Sequence, residues 1–222
     1  MTPMTVADRI DQIDEDELDA PILLEGVSWE TYESLIRDFE ESGQHKRVTY
    51  DQGRMAIVSP LPRHEKWKSL LGCFVEAIAD ARGVPISTYG QTTWRRKARR
   101  RGLEADECFY IQHELQMRGK LDIDLEKDPP PDLCIEIDLR RTPIDKLAVY
   151  AGLEFPEVWH MTHGRIEVAL LQSDGSYQDS PTSAAMPFLR PAGLKQFLDR
   201  FGETDQNSLL RTVREWAKSL PA

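Results

Sequence analysis

Apolar and polar positions repeat along this chain with two periods, and the places where the period changes mark its elements. From Ser28 onward Trp29, Tyr32, Leu35, Ile36 and Phe39 recur at helical spacing, with Ser28 suited to the N-cap and Gly43 to the stop. Two short runs, 46–50 and 54–59, flank Asp51-Gln52-Gly53 and predict a β-hairpin. Ser59-Pro60-Leu61-Pro62 breaks the sheet pattern. Trp67, Leu70, Leu71, Phe74, Val75 and Ile78 then form one stripe of a long helix from about His64 to Gly83. Residues 86–94 and 104–111 predict strands on either side of a basic stretch, and 112–130 read as a long polar connection. Further on, the pattern predicts strands at 155–161 and 165–172 joined by a turn at Thr162-His163-Gly164. A second turn at 173–176 leads to a short strand, and helices follow at 194–201 and about 208–219.

The most informative run is Pro131-Asp132-Leu133-Cys134-Ile135-Glu136-Ile137-Asp138. Its strict alternation predicts a half-buried strand that projects Glu136 and Asp138 from one face. An acid flanked by Ile135 and Ile137 in a core strand needs a partner, because an unpaired buried charge is strongly unfavourable. Asp132, at the strand start, suits a role satisfied by local backbone. A helix is predicted next, with Thr142 as N-cap, Pro143 at the first helical position and Asp145 in the first turn, where the macrodipole favours a negative charge. Lys146 follows in that turn and shares a face with Tyr150, four residues on. Two acids and a lysine at a strand-to-helix corner are what metal-dependent phosphodiester hydrolysis requires.

Composition bounds this picture without changing it. The chain has 222 residues, 40% hydrophobic and 30% charged, enough for one sizeable α/β core. No apolar run reaches the length of a membrane span, and no secretory leader pattern opens the chain, so a cytoplasmic protein without a membrane partner is expected. Cys73, Cys108 and Cys134 are far apart in sequence and lack zinc spacing, which suits small buried hydrophobes in a reducing compartment. The net charge of −10 argues against a nucleic-acid partner only until its distribution is read. Thirteen acids before residue 42, opposed by Arg9 and Arg37 alone, account for all of it. Residues 1–25 are therefore expected to be an acidic arm, and 26–222 a single domain with C-terminal helices. In that domain Arg95, Arg96, Lys97, Arg99, Arg100 and Arg101 form the one dense basic segment. It is either a solvated loop or a hairpin tip that contacts phosphates.

Several separated motifs then fall into order. Gly102-Leu103-Glu104-Ala105-Asp106-Glu107-Cys108-Phe109-Tyr110-Ile111, the 131–138 strand, Asp145-Lys146 with Tyr150, and Pro156-Glu157-Val158-Trp159 resemble the Uma-two family of restriction endonucleases, in the PD-(D/E)XK superfamily. Tyr50-Asp51-Gln52-Gly53, Ser59-Pro60 and His64-Glu65 fit the same pattern, and the resemblance covers about residues 28 to 200. It implies an α/β (α+β) restriction-endonuclease-like fold, a mixed central sheet flanked by helices, that binds magnesium or manganese and cuts nucleic acid. Carried over, Asp106 is the metal-binding aspartate, Glu136 the second acid, Lys146 the lysine moved from the strand onto the next helix, and Glu65 the added helical acid. The catalytic set expected is Asp106, Glu136 and Lys146, the metal set Asp106, Glu136 and Glu65, with His64, Asp138 and Tyr150 as accessory residues. Two positions depart from the pattern: Ala105 replaces proline before Asp106, and Asp138 occupies the usual lysine slot.

Other readings compete residue by residue. Glu65 on an opening helical turn also suits a simple dipole partner, and Lys146 could extend its ammonium to solvent along the helix. The leading expectation is a magnesium-dependent DNA endonuclease, acting as a homodimer. The second is a non-catalytic nucleic-acid-binding or assembly module that retains the fold. A hydrolase of small phosphodiesters comes third, since it would have no use for the basic segment.

Overall fold

The computed structural model describes residues 21–44, 46–59, 61–139, 142–162 and 164–221. Most of the expected acidic arm, Pro60 of the Ser59-Pro60 motif and His163 of the expected turn lie outside the described residues. Among the described residues, eleven strands form two sheets and there are six α-helices, an α+β arrangement consistent with the restriction-endonuclease-like class.

Three strands at the start of the chain, β1 (Ile22–Leu24), β2 (Arg47–Asp51) and β3 (Arg54–Val58), belong to the first sheet, with α1 (Trp29–Ser42) packed on it. β1 falls within the segment expected to be an arm, because pairing with β3 satisfies its backbone groups. Ser28 caps α1 by accepting from the Thr31 amide at 3.1 Å, and Gly43 ends it in the left-handed conformation. The β2–β3 turn has positive φ at both Gln52 and Gly53, the two-residue geometry that matches strand twist. α1 buries Trp29, Tyr32 and Ile36 against Val48, Tyr50 and Met55, with Tyr32 stacked on Tyr50 at 4.8 Å between centroids.

α2 (Pro62–Arg82) opens on proline rather than at His64 and places the expected stripe inward. β4 (Ser87–Thr88) and β5 (Thr92–Arg96) divide the strand expected over 86–94, because Gly90 takes a positive φ and the chain changes sheets there. A second division is more consequential. The run expected at 104–111 is β6 (Arg101–Ala105) in the first sheet and β7 (Glu107–Tyr110) in the second, and Asp106 is the single residue between them.

α3 (Glu114–Met117) interrupts the long connection, and β8 (Leu133–Asp138) follows. α4 (Lys146–Gly152) begins three residues later than the Thr142 cap predicts. Asp145 is its N-cap, accepting from the Ala148 amide, while Thr142 donates to the Ile144 carbonyl in the preceding turn. β9 (Glu157–Thr162), β10 (Arg165–Leu171) and β11 (Tyr177–Ser180) complete the second sheet, in the order β11-β10-β9-β8-β7-β4. Only β8 and β9 run parallel among these neighbours, with α4 in the crossover that parallel pairing demands. α5 (Lys195–Leu198) and α6 (Gln206–Ser219) close the chain.

Layering follows from which face of each strand is apolar. Leu133, Ile135 and Ile137 pack with α2 and α6 on one side of the second sheet. Cys108, Cys134, Val149, Tyr150, Leu103 and Trp94 form a separate cluster between the two sheets and α4. Gly102 of β6 sits directly under the Tyr32 ring, where an added Cβ would lie 2.3 Å from the phenol oxygen. Because Tyr32 is fully buried and stacked, the ring has no free space to move into. Gly102→Ala is therefore expected to destabilise the protein by about 1–3 kcal/mol, read from the shift in a urea-unfolding midpoint.

Candidate active site

The site is assembled where the first sheet hands the chain to the second. Antiparallel register pairs Cys108 with Cys134 and Glu107 with Ile135, so the next position sets Asp106 opposite Glu136. The two cysteines, distant in sequence, meet here with their Sγ atoms 3.0 Å apart, and the carboxylates stand next to them along the same pair of strands.

Each carboxylate has partners brought from elsewhere in the chain. Asp106 is fully buried; it accepts from the Ile137 amide at 2.7 Å, lies 3.1 Å from His64 Nε2, and is ion-paired with Arg47 of β2. Glu136, also buried, accepts from Lys146 Nζ on one oxygen and from the Tyr150 hydroxyl at 2.7 Å on the other. Asp138 takes Lys146 Nζ at 2.7 Å and His160 Nε2 at 2.8 Å. Glu65 on the first turn of α2 binds Arg47 Nη2 and Lys68 Nζ, both at 2.6 Å. Lys146 therefore turns inward and bridges two carboxylates, and Tyr150 reaches the same glutamate from one turn further along α4.

The electrostatics follow from these contacts. Burial alone would lower the Lys146 pKa, but Glu136 and Asp138 outweigh it and hold the ammonium above the ordinary lysine value. Burial raises Asp138, yet Lys146 and His160 together pull it well below the usual carboxylate range. Asp138 is consequently ionised and can only accept, so His160 Nε2 must be the donor. Burial likewise works to lower His160, but its bond to Asp138 carries its pKa above the ordinary histidine value. His64 shifts the other way: burial, reinforced by Arg47, lowers it, and its Nε2 faces the Ile137 carbonyl at 2.9 Å as a neutral N–H donor. The His64 contact, then Lys68 and Arg47, depress Glu65 despite its partial burial.

Two openings reach this cluster. A narrow cleft, walled by Ala56, Val58, Leu61 and Ile144, is lined by Arg47 and Lys146 between the sheets. A second reaches Glu136, Tyr150 and His160 from the α4 side. The donor types suit a hard divalent cation, which takes oxygen ligands and retains waters, so that paired carboxylates suffice to hold it. Among the described residues, however, no three Asp, Glu, His or Cys side chains converge into a metal cage, and nitrogen cations already engage the carboxylates.

The expected residues thus divide into two groups. Asp106, Glu136, Lys146, Glu65, His64, Asp138 and Tyr150 come together. The basic segment does not join them. Arg101 packs on Gly152, at the far end of α4 from Lys146, a separation of about 9 Å at 1.5 Å per helical residue. Arg96 and Arg99 bind Glu154 at 2.5 and 2.8 Å, Arg101 binds Asp51 at 2.8 Å, and Arg100 reaches the Tyr50 hydroxyl. Lys97 lies 3.7 Å from Glu30, and Arg95 is exposed.

Sequence reasoning missed Arg47, Lys68 and His160. A histidine among Val158, Trp159 and Met161 is an interruption that could have flagged His160. Arg47 carries no such signal, since its role depends on β2 lying beside the β6–β7 junction.

A family model described as "Putative restriction endonuclease" matches residues 29–198, from α1 through α5. No curated protein matches the chain. Tyr150→Phe removes the donor to a buried Glu136 oxygen and leaves Lys146 in place. It is expected to cost about 1–3 kcal/mol of stability, measured by chemical denaturation.

Proposed function

The chain belongs to the Uma2 family, and from that premise we propose that it is a metal-dependent endonuclease that hydrolyses DNA phosphodiester bonds, acting as a homodimer. One observation carries the reading furthest: a lysine on the helix after β8 reaches back to the strand glutamate that faces Asp106. That contact restores the acid–acid–lysine grouping although Asp138 holds the slot the motif usually gives to lysine.

Asp106 and Glu136, with Glu65 nearby, are the residues that would hold magnesium or manganese. A bound ion of this kind polarises a phosphoryl oxygen and makes a bound water nucleophilic near neutral pH. The remaining work falls to the protein. Lys146 keeps its proton at neutral pH, so it serves as a donor to charge developing on the phosphoryl oxygens, and not as a general base. Tyr150 fixes the Glu136 carboxylate, and Asp138, itself held by His160, keeps the Lys146 ammonium beside it. Arg96, Arg99 and Arg101 of the β5–β6 tip are held by Glu154 and Asp51, which leaves the exposed Arg95 and Lys97, away from the site's acids. They suit phosphate contacts that set the register of the duplex along the protein.

The pairing of the carboxylates with protein cations favours a second reading, a nucleic-acid-binding module in which the cluster is structural. Plasmid cleavage separates the two. The wild type is expected to nick or linearise DNA with magnesium or manganese and to stop when EDTA is added. Asp106→Asn, Glu136→Gln and Lys146→Ala should each lower the rate by about 100-fold or more while circular dichroism shows the fold retained. No cleavage by the wild type with either metal, or equal residual rates in all variants, would sink the endonuclease reading.

A further inference from the structure

Arg47 is absent from the family-derived set of site residues, yet its guanidinium lies between two of them. One terminal nitrogen contacts Asp106 and the other holds Glu65 at 2.6 Å. These acids come from different elements, the β6–β7 junction and the first turn of α2, and Arg47 reaches them from a third, β2. The side chain is 11% exposed, its Nε is buried without a hydrogen-bond partner, and it lines the cleft between the sheets. Buried donors are ordinarily satisfied, so a guanidinium that spends both terminal nitrogens on carboxylates and leaves its third donor open is an incomplete structural pair.

We propose that Arg47 is an exchangeable counter-ion: in the free protein it occupies Asp106 and Glu65, and on DNA binding it transfers its guanidinium to a backbone phosphate, opening these carboxylates to a divalent cation. The inference rests on the endonuclease reading. A phosphodiester offers two non-bridging oxygens, sharing one negative charge, whose spacing matches the guanidinium fork for bidentate hydrogen bonding. The cleft gives such a group access to Arg47. A guanidinium and a metal ion compete for the same Asp106 and Glu65 oxygens, so a ligand that draws Arg47 away must raise metal affinity. By linkage, the metal raises DNA affinity by the same factor.

The test is manganese binding by the full chain, followed by the loss of the free Mn²⁺ electron-paramagnetic-resonance signal, with and without a short DNA duplex and with the duplex alone as blank. The wild type should bind Mn²⁺ at least about 10-fold more tightly with duplex present, a factor that corresponds to 1.4 kcal/mol of coupling. Arg47→Gln should bind Mn²⁺ without DNA nearly as well as the wild-type complex does and gain less than about 3-fold from the duplex. Arg47→Lys keeps a cation that cannot span both acids and should fall between them, which covers the case in which the glutamine variant does not fold. Equal Mn²⁺ affinity with and without duplex in a wild type that cleaves DNA would overturn the role of Arg47 and leave the endonuclease reading standing. An Arg47→Gln protein that folds but binds Mn²⁺ no better than the wild type would overturn it as well. Absence of both Mn²⁺ binding and cleavage would remove the endonuclease reading itself.

Discussion

Two carboxylates, Asp106 and Glu136, are withdrawn from water at the meeting of two sheets, with Asp138 partly so, and the local structure is arranged around that burial. Burying a carboxylate costs several kcal/mol unless a cation and further hydrogen bonds compensate, and removing one member of such a pair costs about 3–5 kcal/mol. Lys146 meets the requirement for two acids at once, and Arg47 and His64 meet it for the third. The position of α4 follows from this. Its first residue gives an ammonium to Glu136 and Asp138 and its fifth a hydroxyl to Glu136, so two polar bonds at i and i+4 reinforce the apolar contacts of Val149 and Leu153 in docking a seven-residue helix. A helix that short has little stability of its own and depends on such tertiary contacts.

The same constraint explains why the chain changes sheets at Asp106. β6 pairs within the first sheet and β7 within the second, so the break between them is where the chain passes from one sheet to the other. Dividing them at a residue whose own carboxylate accepts the Ile137 amide replaces a lost ladder bond with a side-chain one and keeps the β8 backbone satisfied. The cleft then lies beside the acids, with α4 running from it to the basic hairpin. Arg101 packed on Gly152 mechanically joins the hairpin to the helix that carries Lys146.

The elements that sequence makes legible are those fixed by local periodicity. The stripes of α1 and α2, the β2–β3 turn and the Lys146–Tyr150 spacing all appear where expected, because an element with one apolar face has few other ways to bury it. β8 forms where its alternation predicts, but it is buried on both faces rather than one, because α4 and the first sheet cover the face of Cys134 and Glu136. The facing of Asp106 and Glu136 was reachable through the family resemblance, whereas periodicity alone suggested Glu136 with Asp138. What was not legible depends on contacts between distant segments. Arg47 is fifty-nine residues from Asp106 in sequence, and nothing in the composition of β2 announces that they meet. Likewise, six basic residues among the seven of 95–101 look like free charge until the fold brings Glu154 and Asp51 to three of them. The N-cap of α4 was misplaced for a smaller reason. Thr142 and Asp145 are both competent caps, and the turn through Ile144 uses the threonine first.

Moving a lysine from strand to helix changes what must surround it. On β8, a lysine at position 138 would project from the same face as Glu136 by pleat alone, with its backbone already fixed. From α4, the four-carbon stem of Lys146 has to cross to the strand, and a lysine side chain carries about 2 kcal/mol of rotamer entropy. A single exposed carboxylate would hold such a chain weakly; one buried and one half-buried acceptor hold it in one place. Asp138 at the vacated position supplies the second acceptor, and His160 on β9 keeps that aspartate turned toward Lys146. The aspartate in the lysine slot is thus the counterpart of the relocated lysine. With Lys146 held by Glu136 alone, the ammonium would leave whenever that carboxylate took another cation; with Asp138 beside it, the ammonium has somewhere to stay.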